Sequence, residues 1–371
     1  MNSDSLQHST DPVGEVQGII RRRRPRYSGT HPKKFHEKYK ELRSDLFPEL
    51  TAKIEQRGKT VAGTHRPICV AEVLDFLKPK VGETGVDATI GYGGHAKSVL
   101  ERIVPSGLLV GLDTDGTEIQ KTQQRLRQQG FGDDNLKLVQ SNYAGIIGVI
   151  HRLGIARVNF VLADLGCSSM QLDDPERGFT FKRNGPLDMR MNRSKGPPAS
   201  EWLASVSEQR LREALVSNAD EPDAERIAAG LVKLRKQSPI LTTHDLRDAI
   251  RSLDSESFKS GGAKQDSHLP NSTETRIRRV FQAVRIAVND EFSALGVFLR
   301  SLPEVLAPEG RVVILTFHSG EDRRVKHAFK EGFNSGVYSA ISDEVIRPTA
   351  EEVRSNTRAA PAKLRWAVRV P

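Results

Sequence analysis

Asp87-Ala-Thr-Ile-Gly-Tyr-Gly-Gly-His95, followed by Leu108-Leu-Val-Gly-Leu-Asp113, decides how this chain folds. Val86 to Ile90 has the apolar, β-branched character of a strand, and Gly91, Gly93 and Gly94 follow where a chain must turn sharply and pass close to a ligand. A helix can then start at Ala96 and run to Ile103. Strand, glycine turn and helix leave backbone N–H groups facing the crevice at the carboxyl end of a parallel sheet. Asp113 closes the next apolar run, 22 positions after Gly91, where doubly wound folds place the acid that accepts hydrogen bonds from a ribose diol. The glycines do not spell Gly-x-Gly-x-x-Gly and no Walker Lys-Ser pair follows them, so neither NAD nor a nucleoside triphosphate is favoured. S-adenosylmethionine is the better reading of the adenosine ligand.

Outward from this stretch the strand and helix patterns alternate. Strands are expected at 85–90, 108–113, 137–142 and 158–164, with helices at 96–103, 117–129 and 144–153 between them, an α/β arrangement around a parallel sheet. After Gln171 the strands stop. Helical patterns take over at Ala199–Ser205, Glu208–Ser217, Pro222–Lys236 and Thr243–Leu253, and Phe258 to Thr275 has loop composition with Gly261-Gly262 and Pro270. The α/β pattern resumes with one helix across Ile277–Leu302, a strand at Arg311–Phe317 and a last strand at Lys363–Val370. The expected domains are therefore a Rossmann-like domain of residues 61–176 and 276–371, interrupted by a helical substrate-recognition subdomain at 177–275, with residues 1–60 as a basic extension.

The chain carries a net charge of +9, which points to a polyanionic partner, nucleic acid first. In the extension, Arg21-Arg-Arg-Arg-Pro-Arg26 and Lys33-Lys34 are interleaved with Tyr27, Phe35, His36 and Tyr39, a composition that can hold phosphates and stack on exposed bases, or form a solvated arm. Cys69 and Cys167 form no C-x-x-C pair, so neither a disulfide framework nor a zinc site is suggested and no metal is expected. No apolar run reaches the roughly 18 residues of a membrane span, and the first twenty residues contain no apolar signal segment. These features fit a cytoplasmic protein.

Six further stretches carry the chemistry. They are Ala163-Asp164-Leu-Gly-Cys-Ser-Ser-Met-Gln171, Arg177-Gly-Phe-Thr-Phe181, Gly185-Pro-Leu-Asp-Met-Arg-Met191, Phe281-Gln-Ala-Val-Arg-Ile-Ala-Val-Asn-Asp-Glu291, Thr316-Phe-His-Ser-Gly-Glu-Asp-Arg323 and Asn356-Thr-Arg-Ala-Ala-Pro-Ala-Lys-Leu-Arg365. In this order, from about His65 to the C-terminus, the chain resembles the RsmH (MraW) family. The resemblance implies a Rossmann-like class I methyltransferase that uses S-adenosylmethionine to methylate N4 of a cytidine in the decoding region of 16S rRNA. It also implies small-subunit ribosomal RNA or a ribosomal particle as partner, and it admits a homodimer. Carried over by motif, Gly93, Gly94 and His95 form the cofactor loop, Asp113 binds the ribose, Tyr143 lies near the adenine, and Asp164 and Gln171 make the remaining cofactor contacts.

A sulfonium is already an activated methyl donor, so such an enzyme mainly aligns the cytosine amine and removes its proton. Asp164, Asp188, Ser168 and Ser169 are the acceptors nominated for that amine, with Asp164 and Asp188 as catalytic candidates. Arg190, His318, Asp322 and Arg323 join the two serines on the substrate side, each with a structural ion pair as the competing role. Attack by N4 is direct and needs no covalent adduct on Cys167.

Tyr92, Gly320 and Cys167 depart from the residues common in the family, as does Ser217-Asn-Ala-Asp-Glu-Pro222, and the basic arm reads as extra, which suggests a divergent paralogue branch. Two other functions stay open. One is a ribosome assembly factor that binds cofactor without turnover, separable by a methylation assay. The other is a methyltransferase acting on another RNA or DNA amine, although the Pro-Pro-aromatic motif of DNA amino-methyltransferases is missing after Asp164.

Overall fold

The computed structural model describes residues 67–259 and 272–371, so the basic arm and its motif at Arg21–Lys40 lie outside the described residues. In chain order the elements are α1 (Val70–Leu77), β1 (Thr84–Asp87), α2 (Gly94–Ile103), β2 (Leu108–Asp113), α3 (Gly116–Gln128), β3 (Leu136–Gln140), α4 (Ile146–Arg152), β4 (Val158–Asp164) and α5 (Ser169–Asp173). Then come α6 (Ala199–Ser205), α7 (Glu208–Ala219), α8 (Ala224–Gln237), α9 (Thr243–Lys259), α10 (Thr273–Asn289), α11 (Glu291–Val305), β5 (Leu306–Thr316), α12 (Ser319–Asn334), β6 (Tyr338–Ile341), α13 (Ala350–Ser355) and β7 (Lys363–Arg369).

The seven strands form one sheet in the order β3-β2-β1-β4-β5-β7-β6. The five from β3 to β5 are parallel, while β7 runs antiparallel to both β5 and β6. The strand order reverses between β1 and β4. Parallel strands need crossovers, and a reversal of order opens a crevice at their carboxyl ends, because the helices on either side diverge there. Asp87, Asp113 and Asp164, the last residues of β1, β2 and β4, all stand at that edge.

One face of the sheet packs on α4, α11 and α12 through Val86, Val110, Ile146, Val161, Phe298, Leu302 and Phe329. The other packs on α1, α2 and the end of α3 through Leu77, Leu100, Leu109, Leu126, Phe160 and Leu315. Strands buried on both faces explain the near-continuous apolar runs in the sequence.

A third cluster joins α6 to α10 through Leu203, Leu211, Leu215, Ile227, Leu231, Leu246, Ile250, Ile277, Val280 and Val284. Packing therefore sets α10 with the helical segment, although composition placed most of it with the Rossmann half. The single helix read across Ile277–Leu302 is two helices. Asp290 takes a left-handed conformation, φ 50° and ψ 41°, ending α10 and opening α11; a short polar side chain tolerates that backbone better than an apolar one. The helix read to Leu253 continues to Lys259, and residues 260–271 of the expected loop lie outside the described residues. Among the described residues no helix is long and apolar enough to cross a membrane.

Candidate functional site

A cavity of about 430 Å³ opens at the reversal point, between the ends of β1, β2 and β4 on one side and α10, the start of α11 and the start of α12 on the other. Its sheet side is built by the glycine turn. Gly91 and Gly93 have φ 45° and 77°, and Gly93 precedes α2 without a capping side chain, so no side chain competes for the first N–H groups of that helix. A Cβ on Gly93 would also meet the Thr122 methyl at 3.0 Å. Asp113 braces the turn: one carboxylate oxygen accepts from the Gly91 N–H at 3.0 Å and the other from the Asp115 N–H at 2.9 Å. Burial pushes its pKa up against those two bonds. Asp115 caps α3 and pairs with Arg177 at 3.2 Å. Glu118 lines the same wall with Oε2 buried and without a partner among the described residues.

Tyr143 stands beside this wall, edge-on to Phe298 at 5.3 Å between centroids, its hydroxyl donating to the Glu291 carbonyl at 3.4 Å. Ser168 and Gln171 also line the cavity, and they cap α5 reciprocally. The Ser168 hydroxyl accepts from the Gln171 N–H at 3.2 Å, and the Gln171 side chain accepts from the Ser168 N–H at 3.0 Å.

Asp164 closes the sheet side. Its backbone N–H donates to the Thr89 hydroxyl at 2.6 Å, its Oδ2 lies 3.7 Å from His95 Nδ1, and its Oδ1 is buried without a hydrogen-bond partner among the described residues. Burial first, and the negative charge of Glu321 second, push its pKa up to about 7. Asp87, behind it, is also pushed up to about 7 by burial. His95 is only 7% exposed, its Nε2 is 2.9 Å from the Ile68 carbonyl oxygen, and burial moves its pKa down.

The helical side is held by ion pairs. Arg285 of α10 meets the carboxylate of Glu291 with two hydrogen bonds of 2.8 and 2.9 Å. Glu321 accepts from the Phe317 N–H at 2.9 Å and lies 3.3 Å from His318. Burial raises its pKa, but His318, Arg285 and the Phe317 N–H outweigh burial and leave it below the usual range. Asn289 accepts from the Met191 N–H and donates to the Met189 and Arg285 carbonyls, locking the loop of Met191 to α10. Burial pushes the Cys167 thiol up to about 12, which suits a packing residue and not a thiolate nucleophile.

Of the residues nominated from sequence, Gly94, His95, Asp113, Tyr143, Asp164, Ser168 and Gln171 line this cavity, and Gly93 stands one residue behind. Ser169 opens α5. Asp188, Arg190, His318, Asp322 and Arg323 are not among the lining residues. Asp188 is buried against Arg190 and Arg193, whose hydrogen bonds outweigh burial and hold its carboxyl below its usual range. Asp322 pairs with Arg365 and Lys363, Arg323 with Asp220 across to the end of α7, and His318 caps α12. Asp188, Arg190, Asp322 and Arg323 thus each take part in an ion pair, and His318 caps its helix.

Sequence reasoning passed over Glu118, Arg285, Asn289, Glu291 and Glu321. Four of the five sit inside the quoted stretches Phe281–Glu291 and Thr316–Arg323, where the charge of Arg285, Glu291 and Glu321 in an apolar context was the available signal. The lining is rich in acid, with Asp113, Asp115, Glu118, Asp164, Glu291 and Glu321 against Arg285 and Arg358, although the whole chain is basic. Such a cavity suits a cationic ligand. Among the described residues one group of potential metal ligands converges, Cys69, Glu72 and Glu352, but burial and the two carboxylates push the Cys69 thiol up to about 12.

Gly320, one of the departures from the residues common in the family, has a local cause: a Cβ there would lie 2.7 Å from the Phe292 ring.

Residues 62–370 match the MraW methylase family. The chain is 46% identical to ribosomal RNA small subunit methyltransferase H 1 of Lachnoclostridium phytofermentans, over 96% of this chain and 95% of that one. It is 47% identical to ribosomal RNA small subunit methyltransferase H 2 of Alkaliphilus metalliredigens, over 94% of this chain and 98% of the relative. Ribosomal RNA small subunit methyltransferase H of Solidesulfovibrio magneticus is 35% identical over 83% of this chain and 96% of its own length. The first two alignments leave too little of the chain outside to hold residues 1–60. The arm that read as extra is therefore shared, at least in large part, with those two relatives.

Proposed function

The chain belongs to the MraW methylase family, and from that premise we propose that it transfers a methyl group from S-adenosylmethionine to N4 of a cytidine in the decoding region of small-subunit ribosomal RNA. The observation that carries the chemistry is the acid-lined cavity at the β1/β4 reversal, with the unpartnered Oδ1 of Asp164 in its wall. The cavity fits the cofactor in charge and shape. Its carboxylates complement a sulfonium and an ammonium, Asp113 and the buried Oε2 of Glu118 offer acceptors for ribose hydroxyls, the Gly91–Gly94 turn admits close approach, and the Tyr143 ring can flank an adenine. When bound, S-adenosylmethionine supplies a methyl group already activated by its sulfonium.

What remains for the protein is alignment and a proton. The lone pair of a cytosine amine is delocalised into the ring, so an acceptor holding an N4 hydrogen biases that pair toward the methyl carbon. Asp164 is that acceptor. A carboxyl that titrates near 7 is a base suited to neutral pH, because it is substantially ionised there and still binds a proton well. Asp188, the other catalytic candidate, is consumed by two arginines.

The target base must be unstacked to reach this depth. The loop of Met191 and helix α10 form the wall through which it would enter, and this is the substrate-side role we assign to the helical segment. Residues 21–40 add phosphate contacts in this reading, at the cytoplasmic ribosomal particle. Deleting residues 1–60 should flatten the salt dependence of RNA binding, by roughly 0.7–0.9 of a log unit per lost contact for each tenfold change in salt. Identical slopes would remove the arm from the interface.

The primary test is to map N4-methylcytidine in small-subunit rRNA with and without the gene, and to assay the purified protein and Asp164→Asn with S-adenosylmethionine and small subunits. Loss of the base predicts a fall in turnover of about 10²–10⁴-fold. Cofactor binding with no transfer by the wild-type protein would favour the assembly-factor reading instead.

A further inference from the structure

His95 was expected to touch the cofactor, yet both of its ring nitrogens are directed at the protein. Nε2 lies 2.9 Å from the Ile68 carbonyl oxygen. A carbonyl can only accept, so Nε2 carries the proton, and in the neutral ring Nδ1 is then a bare acceptor. That bare nitrogen is 3.7 Å from Asp164 Oδ2. The ring is neutral for two reasons: it is buried, and it lies in the first turn of α2, whose free N–H groups disfavour a cation. The charged groups around the pair are Asp87 from β1, Asp113 from β2, Glu321 from α12 and Glu352 from α13, all acidic. Cys69 ahead of α1 also senses Asp164 but remains a thiol.

We infer that His95 is the positioning residue of the base, sharing a proton with Asp164 through its bare Nδ1. This rests on the reading of Asp164 as the acceptor of the cytosine N4 proton. Two facing acceptors repel when no proton lies between them and are bridged when one does, so the pair retains a proton to higher pH than Asp164 would alone. In the reaction the N4 lone pair forms the bond to the methyl carbon and the carbon–sulfur bond breaks with its electron pair left on sulfur. The N4 proton passes to the Asp164 carboxylate, and His95 Nδ1 holds it once it sits on Oδ2, the oxygen that faces the ring, until solvent removes it. The pair therefore sets the acid limb of the pH–rate profile, because Asp164 must be free of its proton to accept the next.

The test begins with the ligand-free wild-type protein. Nitrogen NMR at neutral pH should find His95 with a protonated Nε2 and an unprotonated Nδ1; a protonated Nδ1 would overturn the inference. Then His95→Leu, which leaves no acceptor beside Asp164, should move the acid limb of kcat down by about one pH unit, the size of one net hydrogen bond. His95→Asn, which can place an N–H donor beside the carboxyl, should move it at least as far. A purely structural histidine would lower the rate uniformly with pH, and an unmoved limb would overturn the inference. Unchanged turnover in Asp164→Asn would instead remove the base on which it rests, so the two failures are distinguishable.

Discussion

The two walls of the cavity are made by different means. On the sheet side, Asp113, the Gly91–Gly94 turn and Asp164 stand at strand ends, and their relative places follow from the parallel register of β1, β2 and β4. Among the described residues, the Asp113 carboxylate is held by backbone alone, through its bonds from the Gly91 and Asp115 N–H groups. On the helical side, Arg285, Glu291, Asn289 and Glu321 come from elements joined through side chains, and the wall exists only if those pairs form. A backbone-built wall tolerates change in its neighbours. A wall built of buried charge does not, because removing one partner leaves the other in a place water cannot reach.

The largest expected effect follows from that difference. Arg285→Met leaves the Glu291 carboxylate, which is 7% exposed, without its two hydrogen bonds. The expected loss is about 3–5 kcal/mol by urea denaturation, and the double change Arg285→Met/Glu291→Leu should recover most of it. A single variant as stable as wild type would break the contrast, since the helical wall would then stand without its central pair.

On the sheet side the same kind of deletion should appear in binding. Asp113→Ala removes acceptors from the ribose position, and calorimetry with S-adenosylmethionine should read a loss of about 1.5–3 kcal/mol, the range for a charge-assisted hydrogen bond. The Gly91 and Asp115 N–H groups lose their acceptor too, so part of that loss is a loosened turn. Unchanged affinity would take Asp113 out of the site.

This contrast also explains what could be read from sequence. The parallel sheet, the turn and the acid 22 positions beyond Gly91 follow from periodicity and spacing, which are local or nearly so. Four-residue β6 was passed over because an edge strand of that length has too few residues to show alternation. The break at Asp290 was passed over because apolar periodicity continues on both sides of a single left-handed residue. Asp188, Arg190, Asp322 and Arg323 looked chemical because they are charged within distinctive motifs, but each is answered by an opposite charge. In Asp322 and Arg323 the partner lies at least 41 positions away, and no pattern in one sequence announces it. Arg285 and Glu321 were inside the quoted stretches, and only packing of α10 and α12 against the strand ends reveals that they share a cavity.

The smallest expected effect probes a residue to which sequence and structure give different work. Ser168 was nominated to hold the cytosine amine, whereas its hydroxyl accepts the Gln171 N–H at the start of α5 while Gln171 returns the bond. A hydroxyl has a second lone pair and a proton of its own, so capping does not forbid a substrate contact, but it fixes the oxygen to the helix and sets what its loss must do first. Ser168→Ala should cost about 1 kcal/mol in urea denaturation, within the usual range for an N-cap. Gln171→Ala should cost less, because it removes only the returning half of the box and leaves the Ser168 cap in place. If Ser168→Ala instead leaves stability unchanged while slowing methyl transfer, the hydroxyl is not held by its helix. The sheet side would then contribute a movable group to the substrate, and the line drawn between a wall of backbone contacts and a wall of side-chain pairs would have to be redrawn at α5.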